Sequence, residues 1–101
     1  MIKSEFEKEV ETAFELAYTP VMLVKQRLNG QDFLETAVPL LDKIRDQFGD
    51  NSDKVKIAAR TMVLAFNDKL NPKMSAGDLD GMIRTLVNNG PLVRMFGRSG
   101  G

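Results

Sequence analysis

Residues 53–71, DKVKIAARTMVLAFNDKLN, decide the fold class. Val55, Ala58, Ala59, Met62, Phe66 and Leu70 recur there at three- and four-residue spacing, which places them on one face of an α-helix. Nothing in the stretch alternates with the period of two that a half-buried strand requires. The turn Gly49-Asp50-Asn51-Ser52 precedes it, and Asn51 or Ser52 can accept hydrogen bonds from the first unpaired amides. Asn71-Pro72 stops it.

The same period runs through the flanking segments. Before the turn, Asp32 with Glu35 opens a helix carrying Phe33, Ala37, Leu41, Ile44 and Phe48. Its apolar register continues past Pro39, which predicts one kinked helix instead of two. Nearer the start, Ser4 with Glu7 matches a capping box, and Phe6, Val10, Ala13, Phe14 and Ala17 form a stripe. That predicts a first helix over 5–18, broken or kinked at Thr19-Pro20 because proline has no amide hydrogen to donate. A short second helix over 20–28 then ends at Asn29-Gly30. Toward the other end, Ser75 with Asp78 starts a helix bearing Leu79, Met82, Ile83, Leu86 and Val87. Gly77 and Gly81 weaken it by roughly 1 kcal/mol each relative to alanine. Asn89-Gly90-Pro91 should end it, leaving a last helical turn over 92–96.

These segments predict an all-α fold, a compact bundle of four to five helices with a kink or break at Pro20 and Pro39. Residues 1–97 are expected to form one helical domain and 98–101 a flexible tail. Phe14, Leu41, Ile44, Met62, Phe66 and Ile83 are the expected core.

Composition narrows the chemistry. Of 101 residues, 43% are hydrophobic and 28% charged, a balance that can support a packed core and argues against disorder. Cysteine, histidine and tryptophan are absent. Disulfide frameworks, thiol chemistry, zinc sites of the Cys/His kind and histidine acid–base catalysis are thereby excluded. Glu11 and Glu15 lie one turn apart but match a solvated helix face, and the aspartates at 46, 50, 53, 78 and 80 lack the spacing of a calcium loop. No catalytic residue, metal ligand or cofactor is therefore assigned. The N-terminus is acidic and polar, and the most apolar run, Ala17 to Val24, falls short of the ~20 residues a membrane helix needs. The expected location is cytoplasmic, with no membrane partner.

Two segments are more apolar than the surface of a small monomer requires: Val21, Met22 and Leu23 in one, Leu92, Val93, Met95 and Phe96 in the other. Val21 to Val24 are consecutive, so on a helix they point about 100° apart and cannot all face one core. The expected function is a small non-enzymatic protein–protein interaction module, such as an adaptor, assembly factor or inhibitor. Its expected partner is another protein, and a homodimer or larger homo-oligomer. The alternative is a small nucleic-acid-binding regulator. Fourteen basic residues balance fourteen acidic ones overall, but residues 1–50 carry a net charge of −4 and residues 51–101 a net charge of +4. Arg84, Arg94 and Arg98 would supply the phosphate contacts of that alternative.

Overall fold

Side-chain caps set where each helix starts. The computed structural model describes residues 3–25 and 27–100, with side chains through residue 88. It contains α1 (Glu5–Val24), α2 (Gly30–Phe48), α3 (Asp53–Asn67) and α4 (Ala76–Gly100), and no strand among the described residues. At α1 the Ser4 hydroxyl accepts from the Glu7 amide at 3.2 Å, and the Glu7 carboxylate accepts from the Ser4 amide at 3.1 Å. This is the capping box expected from the sequence. Ser52 accepts from the Lys54 amide at 3.1 Å, and Ser75 from the Asp78 amide at 3.2 Å. Asn29 accepts from the Asp32 amide at 2.9 Å. Asn29 is thus the start of α2 and not, as expected, the end of a helix before it.

The expected break at Pro20 is absent, because α1 runs through it to Val24. A proline inside a helix frees the carbonyl four residues earlier. For Pro20 that carbonyl belongs to Leu16 and for Pro39 to Glu35, and all four residues are exposed. Water can satisfy both carbonyls, so neither proline interrupts its helix. Of the expected separate helix over 20–28, residues 20–24 are the last turn of α1, and residues 25, 27 and 28 are not helical. Likewise α4 continues through Asn89-Gly90-Pro91 to Gly100, so residues 92–96 form no fifth helix, and Gly101 lies outside the described residues.

α3 is the central element. It packs against α1, α2 and α4, whereas α1 and α4 do not touch each other among the described residues. Nine of its residues are buried, from Val55 to Asn67, so it presents more than one buried face. Four aromatic rings close a cycle beside it: Phe14 on Tyr18 (5.1 Å between centroids), Tyr18 on Phe66 (5.9 Å), Phe66 on Phe33 (4.8 Å) and Phe33 on Phe14 (5.7 Å). Two helices besides α3 contribute to the cycle, which joins α1, α2 and α3. Each ring contact adds about 0.5–1.5 kcal/mol beyond simple burial. Of the expected core, Phe14, Leu41, Met62 and Phe66 are fully buried, and Ile44 and Ile83 pack half-buried against it. Ala13 and Ala17 were expected on the buried face but are exposed, and Tyr18 takes the buried position. Tyr18 lies one turn beyond Phe14, so the two rings stack on the same helix face.

Arg45 on α2 is buried too, with its guanidinium held between Asp42 and α4. Its Nη2 donates to the Val87 carbonyl at 2.5 Å and makes a longer contact of 3.4 Å with the Leu86 carbonyl. The Val87 carbonyl is the one that Pro91 cannot partner, since residue 91 would be its helical donor. In the α3–α4 connection, Asn67 Oδ1 accepts from the Met74 amide at 2.8 Å and fixes the chain's return.

Candidate functional site

The apolar residues of α1 divide between two faces. Val10, Phe14 and Tyr18 point into the core, and Val21 and Met22 pack half-buried against its edge. Leu23 and Val24 do not: they are 81% and 79% exposed, and Leu16 is 73% exposed. At 100° per residue, Ala13, Leu16, Ala17, Pro20, Leu23 and Val24 lie within about 120° of one another on the helix surface. All six are exposed, and together they form an unbroken apolar stripe along the outer side of the helix. The interaction surface expected at Val21, Met22 and Leu23 is therefore split. Leu23 lies on the stripe, while Val21 and Met22 pack half-buried against the core. The second expected segment, Leu92, Val93, Met95 and Phe96, has side chains outside the described residues.

Sequence reasoning missed most of the stripe. It puts Ala13 and Ala17 on the same apolar face as Phe14 and does not single out Leu16. The signal was available in the spacing 13, 17, 20, 24, which is as regular as that of the buried face, but Pro20 hid the continuity of the helix. A groove of about 190 Å³ adjoins the stripe near Ala13, between Phe6 and Val10 of α1 and Leu40 and Ile44 of α2.

Glu9 lies at the N-terminal end of the stripe, whereas Arg27 lies past the end of α1, beside Leu28, Lys69, Leu70 and Asn71. Glu9 precedes Ala13 by about one turn, and Arg27 lies three residues beyond Val24; both are exposed. Among the described residues neither has an ion-pair or hydrogen-bond partner. Their neighbours are paired: Lys3 with Glu11, Lys69 with Glu15 at 2.7 Å, and Lys25 with Asp32 at 3.6 Å.

The Glu11 and Glu15 carboxylates are each engaged by a lysine. The Tyr18 hydroxyl is fully buried without a hydrogen-bond partner, and burial, then the nearby Asp32 charge, pushes its pKa up. Among the described residues no three Asp or Glu side chains gather as a metal site would need, and no helix is long and apolar enough to cross a membrane. Of the arginines considered for nucleic-acid contact, Arg84 is exposed but bridged to Asp80 at 2.6 Å one turn away. Its charge is thus partly neutralised. The Arg94 and Arg98 side chains lie outside the described residues. Compared with known protein families, with curated proteins and with solved structures, the chain matches none.

Proposed function

We propose that the protein is a small non-enzymatic protein–protein interaction module, docking through the outer face of α1. The observation that carries this reading is the exposure of Leu16, Leu23 and Val24 on a single helix face. Isolated exposed leucines are ordinary on small proteins, whereas a contiguous apolar stripe marks a surface that another molecule covers. Alanines within the stripe lower its relief, so a partner's side chains can approach the helix closely. The buried aromatic cycle beneath holds α1 rigid, so docking costs little conformational entropy.

The test places a photo-cross-linking amino acid at position 23 in the expressing cell. A discrete protein adduct of higher mass is expected on irradiation. The same probe at Asp50, in the turn between α2 and α3, should give none. Absence of any adduct from position 23 would refute the docking role.

A further inference from the structure

The dipeptide Asn-Gly occurs twice in the chain, at 29–30 and at 89–90, and the fold treats the two differently. Asn89 lies inside α4, where the following amide is turned toward the carbonyl four residues earlier. Asn29 stands outside the helix it caps, exposed and with extended φ and ψ of −136° and 168°. Residues 27 and 28, just before it, are not helical. Gly30 is the first residue of α2, so its amide has no helical acceptor. Nor does that amide have another acceptor among the described residues. We propose that Asn29 is a modification site: it deamidates in water, without an enzyme, through a cyclic imide with Gly30, and the change loosens the start of α2.

Asparagine is among the chemically labile side chains. The Gly30 nitrogen gives up its proton and attacks the side-chain carbonyl carbon of Asn29. A C–N bond forms there, the carboxamide C–N bond breaks, and ammonia leaves with the proton. Water then opens the imide at either carbonyl to give aspartate or isoaspartate, so water is consumed and ammonia released in equal amounts. The hydrogen bond from the Asp32 amide to Asn29 Oδ1, 2.9 Å long, draws electron density from the carbon under attack. Glycine places no Cβ in the way. The fold itself does not require glycine here: φ of Gly30 is not positive, and a Cβ would meet only Met82 Cε at 3.4 Å, an ordinary contact. Other asparagines are poorer candidates. Asn71 precedes Pro72, which has no amide proton to lose, and Asn67 is buried with its Oδ1 holding the Met74 amide. Isoaspartate at 29 adds an atom to the backbone ahead of α2 and withdraws the acceptor from the Asp32 amide. Asp32 is buried, and its partner Lys25, 3.6 Å away, lies just past α1, so loss of the cap loosens the joint between the two helices.

The test holds the full chain at neutral pH, samples it over time, digests each sample with trypsin and maps the peptides by mass spectrometry. Cleavage after Arg27 and Lys43 releases Asn29 on residues 28–43, and cleavage after Arg84 and Arg94 releases Asn89 on residues 85–94. The first peptide should gain the mass of deamidation, in aspartyl and isoaspartyl forms, at least about tenfold faster than the second, whose site must first open its helix. In urea, where neither site is held, the two rates should converge. Gly30→Ala should slow the reaction at Asn29 by about tenfold with an unchanged circular dichroism spectrum. Asn29→Ser, which keeps a cap, should leave the 28–43 peptide without the added mass. Reacted chain, separated by anion exchange, should melt at a lower temperature than unreacted chain. Equal rates at the two sites in the folded chain would overturn the proposal. So would a rate indifferent to Gly30→Ala, or rates as far apart in urea as in the folded chain. Reacted chain as stable as unreacted chain would overturn the loosening of α2.

Discussion

Replacing Arg45 by methionine tests whether a buried cation holds α4 across its proline. Met keeps a long unbranched stem in the space while removing every donor. In the structure Arg45 Nη2 donates to the Val87 carbonyl at 2.5 Å, and Pro91 has no amide hydrogen to offer in its place. A hydrogen bond to a charged group contributes about 1.5–3 kcal/mol, and its loss leaves a carbonyl half-buried and unpaired. The 3.4 Å contact to the Leu86 carbonyl is too long to add much. Relief from burying the guanidinium offsets part of the loss. The ion pair to the partly exposed Asp42 contributes under about 1 kcal/mol. The net cost of Arg45→Met is therefore about 2 kcal/mol, a fall of about 8–16 °C in Tm for a domain of this size.

The magnitude alone would not identify the cause, since many buried substitutions cost as much. The double-mutant cycle with Pro91→Ala does. Alanine restores an amide at residue 91, which can donate to Val87 along the helix in the ordinary way. In that background Arg45→Met should cost about 1 kcal/mol less than in the wild type, measured by urea unfolding monitored by far-ultraviolet circular dichroism. Equal costs in the two backgrounds, to within about 0.5 kcal/mol, would refute the idea that Arg45 substitutes for the missing amide. Pro91→Ala on its own should stabilise, because it removes a helix-interior proline.

Three further outcomes are expected. Phe66→Ala, which opens the aromatic cycle on two sides, should cost about 3–5 kcal/mol by thermal or urea unfolding; a loss under about 1 kcal/mol would contradict its burial. Tyr18→Phe should leave the protein as stable or more so at neutral pH, since it removes a buried hydroxyl with no partner. It should also raise the onset of alkaline unfolding: the folded-state pKa of Tyr18 lies above its ordinary 10.0, so stability is lost as pH climbs through the raised value, and Phe has no proton to lose. Ser4→Ala should cost about 1 kcal/mol and flatten the acid limb of the stability profile. Hydrogen bonds from the Ser4 amide and hydroxyl lower the Glu7 pKa below 4.5, so their stabilisation is present above that value and fades as pH falls through the lowered one. An acid limb unchanged in Ser4→Ala would count against the capping box.

Most helix starts were legible because caps are local: Ser4, Ser52 and Ser75 each act within three residues of their own position. The core of α3 was legible as well, since a helix buried on several sides needs only its period to be recognised. Asn29 was misread because asparagine suits both a helix end and a helix start, and the choice depends on a backbone conformation that sequence does not carry. It adopts extended φ and ψ of −136° and 168°, which lets its side chain accept from Asp32. The faces of α1 were confused for a different reason. Ala13 and Ala17 share spacing with Phe14 and Tyr18 to within one residue, and alanine carries too little apolar surface to declare its side.

The prolines were the hardest to read, and one rule now covers them. Pro20, Pro39 and Pro91 all lie inside helices, so in each case a carbonyl four residues earlier loses its helical donor. Whether the helix survives depends on what else can reach that carbonyl. Leu16 and Glu35 are both exposed, so solvent can stand in for the missing donor there. At Val87, which is half-buried, the answer is Arg45. Its donor comes from 42 positions earlier in the chain, a separation at which no local pattern can announce it. Sequence alone therefore reads a break or kink at Pro20, a kink at Pro39 and a stop at Pro91, and the packing of α2 against α4 supplies the donor at the third. The same continuity creates the candidate site. Had α1 ended at Thr19, Leu23 and Val24 would belong to a separate segment; because it does not, they extend the line of Ala13, Leu16 and Ala17 into a single continuous exposed face.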